Sequence, residues 1–152
     1  MFEVFIKLIS AIVIATVSSW ITVQLSRHKF RTEKWWEKKV SAYERVIDAF
    51  HSSKKFSSEH LDAVYKGHEV EEARDRELRK MAREARDEII RASDVGAFIL
   101  SAEAISILAK YEAESESLSR YESWQEYLDS DWSITHKYMK EFIAEAKRDL
   151  MQ

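Results

Sequence analysis

The sequence predicts an all-α protein in which an N-terminal transmembrane helix is followed by a cytosolic antiparallel bundle of about four helices. The 152 residues contain no proline, two glycines and no asparagine, so the tight turns that a β-sheet of this length requires have few suitable residues. Residues 4–25 form one long apolar run, and from Thr32 onward apolar residues recur at helical spacing. The length suits one domain.

Composition excludes several classes of function. The chain has 24 Lys and Arg against 27 Asp and Glu, which excludes a globally basic nucleic-acid-binding protein. It has no cysteine, which excludes a disulfide framework, a thiol nucleophile and a cysteine-ligated metal centre.

The first predicted element is a transmembrane helix within a region 1–26. Leu8 to Leu25 is a stretch of 18 residues without a charged side chain, and about 20 helical residues cross a hydrocarbon core of about 30 Å. Lys7 can extend its ammonium toward the nearer headgroups, and Trp20 suits the interface at the other end. A cleaved signal peptide, ending near residues 17–19, is the alternative. The basic flank that follows disfavours it.

That flank, residues 27–39, is the basic-aromatic segment. It contains six basic and two acidic residues. The positive-inside rule therefore places the N-terminus outside and the rest of the chain in the cytoplasm. We expect its side chains and Trp20 to contact the headgroups of an anionic inner leaflet. A protein partner or single-stranded nucleic acid is the alternative ligand, but the adjacent apolar run favours lipid, and no nucleic acid is expected. The predicted membrane-interface residues are Trp20, Arg27, Lys29, Arg31, Lys34, Trp35, Lys38 and Lys39.

Small residues share one face of the predicted membrane helix. Ala11, Ala15, Ser18 and Thr22 lie three or four positions apart, and small residues at this spacing allow two membrane helices to approach closely. We therefore expect a homo-oligomer that associates through this face.

Residues 40–152 are predicted to form the cytosolic bundle. In its first helix, alternating steps of four and three predict a buried seam. Lys54 and Ser57 interrupt this seam, which resumes at Leu61 and Val64, and serine pairs suggest a kink or a short break at the interruption. Gly67 is a strong stop signal. The seam consists of Trp36, Val40, Tyr43, Ile47 and Phe50.

The second helix is predicted over residues 70–93. Its apolar stripe is narrow, comprising Leu78, Met81, Ala85 and Ile89. Pairs four residues apart, such as Glu72–Arg76 and Asp75–Arg79, add small stabilising increments. We expect the rest of this highly charged helix to be a solvated face.

Two further helices complete the predicted bundle. Ser101 is a suitable N-cap for the third, and the last is predicted to begin near Asp131 or Ser133. The third helix directs Ile105, Leu108, Tyr111 and Leu118 inward, and the last directs Thr135, Tyr138 or Met139, Phe142, Ala146 and Leu150 inward. The connection between them contains Trp124, Tyr127, Leu128 and Trp132, which we expect to cover one end of the bundle.

The sequence contains no recognisable catalytic, cofactor-binding or metal-binding motif. Asp48 and His51 place two possible ligands on one helix face, but a ferritin-like site requires Glu-x-x-His, which is absent. The five histidines are expected at the surface or rim. No Gly-x-Ser-x-Gly elbow and no glycine-rich phosphate loop occur. We therefore expect no cofactor and a protein that is not an enzyme.

Three phrases carry a resemblance. FRTEKWWEKK at residues 30–39 follows the apolar run, VGAFILS stands at residues 95–101, and AKRDL at residues 146–150. Together they resemble small bacterial single-pass inner-membrane proteins of unassigned function. The resemblance implies a bacterial inner membrane and supplies neither an activity nor site residues.

The leading functional hypothesis is a non-enzymatic, membrane-anchored interaction or scaffold protein. Its cytosolic bundle would bind a protein partner or itself at the inner membrane. One alternative is a membrane-perturbing effector of a bacterial stress or anti-phage defence system. The other is a helical-bundle enzyme with a histidine/carboxylate metal site.

Overall fold

The computed structural model describes the backbone of residues 2–120 and 123–151, and the side chains of Trp20, Val23, residues 32–118 and residues 123–151. Over this part of the chain the fold is all-α, and no strand occurs. The helices are α1 (Phe2–Tyr65), α2 (Glu72–Val95), α3 (Ala102–Glu116) and α4 (Trp124–Leu150), with short 3₁₀ helices at Gly96–Phe98 and Ser117–Arg120. Two compact units divide the chain, residues 1–38 and residues 39–152.

The second unit, residues 39–152, is an antiparallel helical bundle. Lys39, where α1 enters this unit, pairs with Asp149 late in α4, and Ser57, nearer the end of α1, bonds Asp131 near the start of α4. The same reversal relates α1 to α2, where Arg45 pairs with Glu88 and Glu59 with Arg74. It also relates α3 to α4 through Glu114–Lys137, with Ser101 before α3 bonding Glu145 late in α4.

The buried face of α1 begins later than the sequence predicts. Tyr43 and Phe50 are buried as predicted and Ile47 is half-buried, but Trp36 is 54% exposed, so its predicted burial is wrong. Trp36 belongs to residues 1–38, the other compact unit. Helical spacing predicts which residues share a face of α1, but it does not predict at which residue other helices begin to cover that face. The inward face contains Ala42, Tyr43, Val46, Ala49, Phe50, Ser53, Phe56, Ser57 and His60.

The interior of the bundle is divided into two apolar clusters. The larger contains Phe50, which packs edge-on against Tyr111 with ring centroids 5.0 Å apart. The smaller consists of Phe56, Leu61, Leu78 and Leu128. The register of α1 also buries Ser53 and Ser57 on the same inward face. The short break that these serines suggested is wrong, because α1 continues through both as one helix.

Two predicted helix ends are confirmed. Gly67 has φ +69°, and the amides of Gly67 and His68 donate to the carbonyls of Val64 and Ala63, both at 3.1 Å. This is the bond pattern of a Schellman motif, which needs a left-handed residue that glycine adopts without strain. Ser101 caps α3, since its Oγ accepts from the Ala104 amide at 3.0 Å.

The last helix begins earlier than predicted. It starts at Trp124 rather than at residues 131–133, so Trp124, Tyr127, Leu128 and Trp132 lie in its first turns and not in a connection. Leu128 is fully buried. The inward spacing of three and four residues runs unbroken from Leu128 through Asp131 and Thr135 to Tyr138. The start of the helix was not recognised in the sequence because a charged residue, Asp131, occupies one position of the inward face.

The predicted membrane helix, residues 1–26, falls on side chains outside the described residues, except for Trp20 and Val23. Within the part of the chain that is described, no helix is both long enough and apolar enough to cross a membrane.

Candidate functional site

The basic-aromatic segment is an exposed stretch of helix over residues 32–38. Every residue from Thr32 to Lys38 is exposed, and Trp35 and Trp36 are 52% and 54% exposed. Lys34 pairs with Glu37 at 2.7 Å. Two neighbouring indoles without apolar cover, flanked by ammonium groups, form a surface that suits a headgroup region or a protein partner.

The other predicted site residues have different outcomes. Trp20 is exposed. Arg27, Lys29 and Arg31 lie outside the described residues, and so do the four small residues of the predicted self-association face: Ala11, Ala15, Ser18 and Thr22. Lys39 lies in the bundle, where its ammonium bonds Asp149 of α4 at 2.8 Å.

Lys39 belongs to a polar network that closes one end of the bundle. The Tyr43 hydroxyl donates to Asp149 at 2.6 Å and accepts from the Ser101 amide at 3.2 Å. Burial alone would raise the pKa of Asp149, but the hydrogen bonds from Lys39 and Tyr43 outweigh it and hold that pKa below its usual range. Ser101 Oγ in turn donates to the buried Glu145 at 2.5 Å. The hydrogen bonds of this network join α1 and α4 to Ser101, the residue that caps α3.

A second polar cluster surrounds His60, which is buried rather than at the rim as expected. Its Nδ1 lies 2.8 Å from the Phe56 carbonyl and its Nε2 lies 2.8 Å from Asp75. Both partners are acceptors, so both bonds form together only when both ring nitrogens carry protons. Hydrogen bonds from Arg79, and then from His60, hold the pKa of Asp75 below its usual range.

The most distinctive feature of the bundle is a cavity of about 210 Å³ to which all four helices contribute. We call it the arginine cavity. Its members on each helix recur at three- or four-residue spacing, so each set shares one helix face. The lining residues are Ser53 and Phe56 of α1, Arg79, Ala82, Arg83 and Arg86 of α2, Tyr111 and Ser115 of α3, and Tyr127 and Asp131 of α4.

Charge in the arginine cavity is unbalanced. Arg79 is bonded to Asp75, whereas Arg83 and Arg86 form no ion pair with any described residue. Burial raises the pKa of Asp131, against the opposing effects of the Ser57 hydrogen bond and the nearby Arg86 charge. Three guanidinium groups thus share the cavity with one carboxyl group.

One hydroxyl group in the arginine cavity has no partner. Ser115 is 6% exposed, and its Oγ has no hydrogen bond to any described atom. A buried polar atom left without a partner costs about 1–3 kcal/mol. A ligand that accepts or donates a hydrogen bond at this position would remove that cost.

The arginine cavity was not expected from the sequence. Arg79, Arg83 and Arg86 were expected on a solvated face and are exposed, but that expectation did not bring them together at one cavity. The available signal was their spacing of four and three residues, which aligns three guanidinium groups along one side of the helix.

The wider grooves show no comparable excess of unpaired charge over the described part of the bundle. One of them, of about 840 Å³, lies along the end of α1 and the start of α2 and includes His51, His68 and Arg74. Its charges pair with one another, as in Arg74–Glu59 and Lys55–Glu59. Among the described residues no three His, Asp or Glu side chains converge as a metal ion would require.

Comparisons of the chain with protein-family models, with curated proteins and with solved structures found no match.

Proposed function

We propose that this chain is a non-enzymatic, membrane-anchored interaction protein. Its N-terminal apolar run would lie in a bacterial inner membrane, and its bundle would hold a protein partner or a second copy of the chain in the cytoplasm. The observation that carries the proposal is the exposure of Trp35 and Trp36, which lie ten and eleven residues beyond the end of that run at Leu25.

Exposed tryptophans are unfavourable in water unless another phase or molecule covers them. Burial of apolar area contributes about 25 cal/mol per Å², and an indole suits the headgroup zone because it combines an apolar ring with an N–H donor. The basic side chains of the same segment add attraction to anionic lipid, about 1 kcal/mol each near the surface. Lipid therefore satisfies both features at once.

The bundle also offers a surface for a protein partner. Phe98 is 84% exposed, and Val95, three residues earlier, is also exposed. Both lie where α2 ends, beside the charged outer face of that helix. Apolar side chains with a polar surround are typical of contact sites between proteins.

Depth-dependent fluorescence quenching tests the proposal. The full chain is reconstituted into vesicles of phosphatidylcholine and phosphatidylglycerol that contain lipids brominated close to the headgroup. One variant keeps only Trp35, and a matched variant keeps only Trp124, which is exposed in the bundle; the other tryptophans are replaced by phenylalanine. We expect strong quenching and a blue-shifted emission for Trp35 and neither for Trp124.

Equal quenching of the two tryptophans would contradict lipid contact by the basic-aromatic segment. Far-ultraviolet circular dichroism of both variants checks that the helices are retained, so that a negative result reports contact and not unfolding.

A further inference from the structure

We propose that the arginine cavity binds the phosphoryl group of a small phosphorylated solute. This inference concerns the bundle alone and does not depend on membrane anchoring.

The charge of the arginine cavity matches such a group. Arg83 and Arg86 contribute two positive charges that pair with no described carboxylate, the charge of Arg79 is offset by Asp75, and Asp131 contributes at most one negative charge. A phosphate monoester carries a charge of about −1.5 to −2 at pH 7, which is close to the remaining positive charge. A guanidinium group also presents a planar fork of donors that fits phosphate oxygens.

Neutral groups in the cavity supply the remaining contacts. Ser115, whose Oγ has no hydrogen-bond partner, lines the cavity. Tyr127 lines it as well, and burial, followed by the nearby charge of Asp131, raises the pKa of its phenol. Phosphate oxygens accept hydrogen bonds from both kinds of hydroxyl.

Size and lining limit the rest of the ligand. A cavity of about 210 Å³ is smaller than the roughly 300–1,000 Å³ of sites for drug-sized molecules. The aromatic rings of Phe56, Tyr111 and Tyr127 line it beside the arginines, so a flat organic group attached to the phosphate would pack against them. We therefore infer a phosphomonoester with a small, partly apolar organic group.

Calorimetric titration of the full chain tests the proposal. The protein is held at constant ionic strength in a micelle of a detergent without phosphate, so that the added probe is the only source of phosphoryl groups. The probes are inorganic phosphate and phenyl phosphate. We expect saturable binding of both, with phenyl phosphate at least several-fold tighter because its ring gains the aromatic contacts.

Three variants and one control localise the binding. Arg83→Gln and Arg86→Gln should each weaken phenyl phosphate binding at least 10-fold, the scale of one charge-assisted hydrogen bond. Ser115→Ala should weaken it about three- to ten-fold. Arg76→Gln lies on the same helix, paired with Glu72 outside the cavity, and should change affinity less than two-fold.

Two results would overturn the proposal. One is the absence of saturable binding of either probe up to about 10 mM, a concentration about tenfold above the Kd of a weak, 1 mM ligand. The other is an equal loss in Arg76→Gln and Arg86→Gln, which would mean diffuse attraction to a basic helix rather than a site. Both arginines are exposed, so neither substitution removes a core contact.

Discussion

The hydroxyl of Tyr43 donates a hydrogen bond of 2.6 Å to Oδ2 of Asp149, and 106 residues separate these two partners in the sequence. Tyr43 is buried in α1, and Asp149 lies in the last turn of α4. The bond therefore fixes the register between the helices that begin and end the bundle.

Removing this hydroxyl should destabilise the bundle. Tyr43→Phe deletes the donor to Asp149 and the acceptor of the Ser101 amide, so we expect a loss of about 1.5–3 kcal/mol in the free energy of unfolding. Urea unfolding of the full chain in mild detergent measures it. Tyr65→Phe is the matched control in the same helix, since that hydroxyl is exposed and makes only a 3.4 Å contact with Asp129. A control that loses as much as Tyr43→Phe would contradict the assigned register.

The centre of the larger core cluster is the second test. Phe50 has no exposed surface and packs against Tyr111 and Phe142. Phe50→Ala should cost about 3–5 kcal/mol by the same measurement, because it leaves a cavity among large side chains. Phe98→Ala, at an exposed position, should change stability by less than about 0.5 kcal/mol. A small loss at Phe50 would mean that this face of α1 is not packed.

Asp131 makes stability depend on pH with a defined sign. Burial raises its pKa in the folded state, so the folded chain binds more protons than the unfolded chain just above the usual value of 3.8. Its contribution to stability is therefore largest below that value and is lost as pH rises through the folded pKa. Asp131→Asn should raise the free energy of unfolding at pH 7, because the amide has no charge to bury.

The gain from Asp131→Asn should shrink as pH falls toward 4. Asp129→Asn is its control, because Asp129 is exposed on the same helix and should show no such trend. A stabilisation by Asp131→Asn that grows on acidification would reverse the assigned sign.

Much of the helical architecture could be predicted from local signals. Gly67 and the Ser101 cap act through bonds to residues three to five positions away, so the sequence near them is sufficient. The hydrogen bond between Ser57 and Asp131 could not be predicted, because 74 residues separate the two in the sequence. Each of them alone resembles a surface residue. The arginine cavity could not be predicted for the same reason. Its lining residues come from four helices and lie near one another only after the helices pack together.

Self-association through the small-residue face remains a prediction. Ala15→Leu with Ser18→Leu keeps the N-terminal run apolar but fills the groove that close helix packing requires. Crosslinking in native membranes should fall sharply while insertion is unchanged. Val13→Leu with Val17→Leu is the matched control on the opposite side of the helix and should crosslink like the wild type. Unchanged crosslinking of the first double variant would assign any assembly to the bundle.

The central claim is that the apolar run anchors the chain with its bundle in the cytoplasm, and cysteine accessibility tests it most directly. The sequence contains no cysteine, so Lys80→Cys, at an exposed position of α2, introduces a single thiol. The variant is expressed in a bacterium, and spheroplasts are treated with a membrane-impermeant maleimide before or after lysis. We predict that the protein stays in the membrane fraction after carbonate extraction and that Cys labelling appears only after lysis. Labelling of intact spheroplasts, or release of the chain by carbonate, would contradict the account.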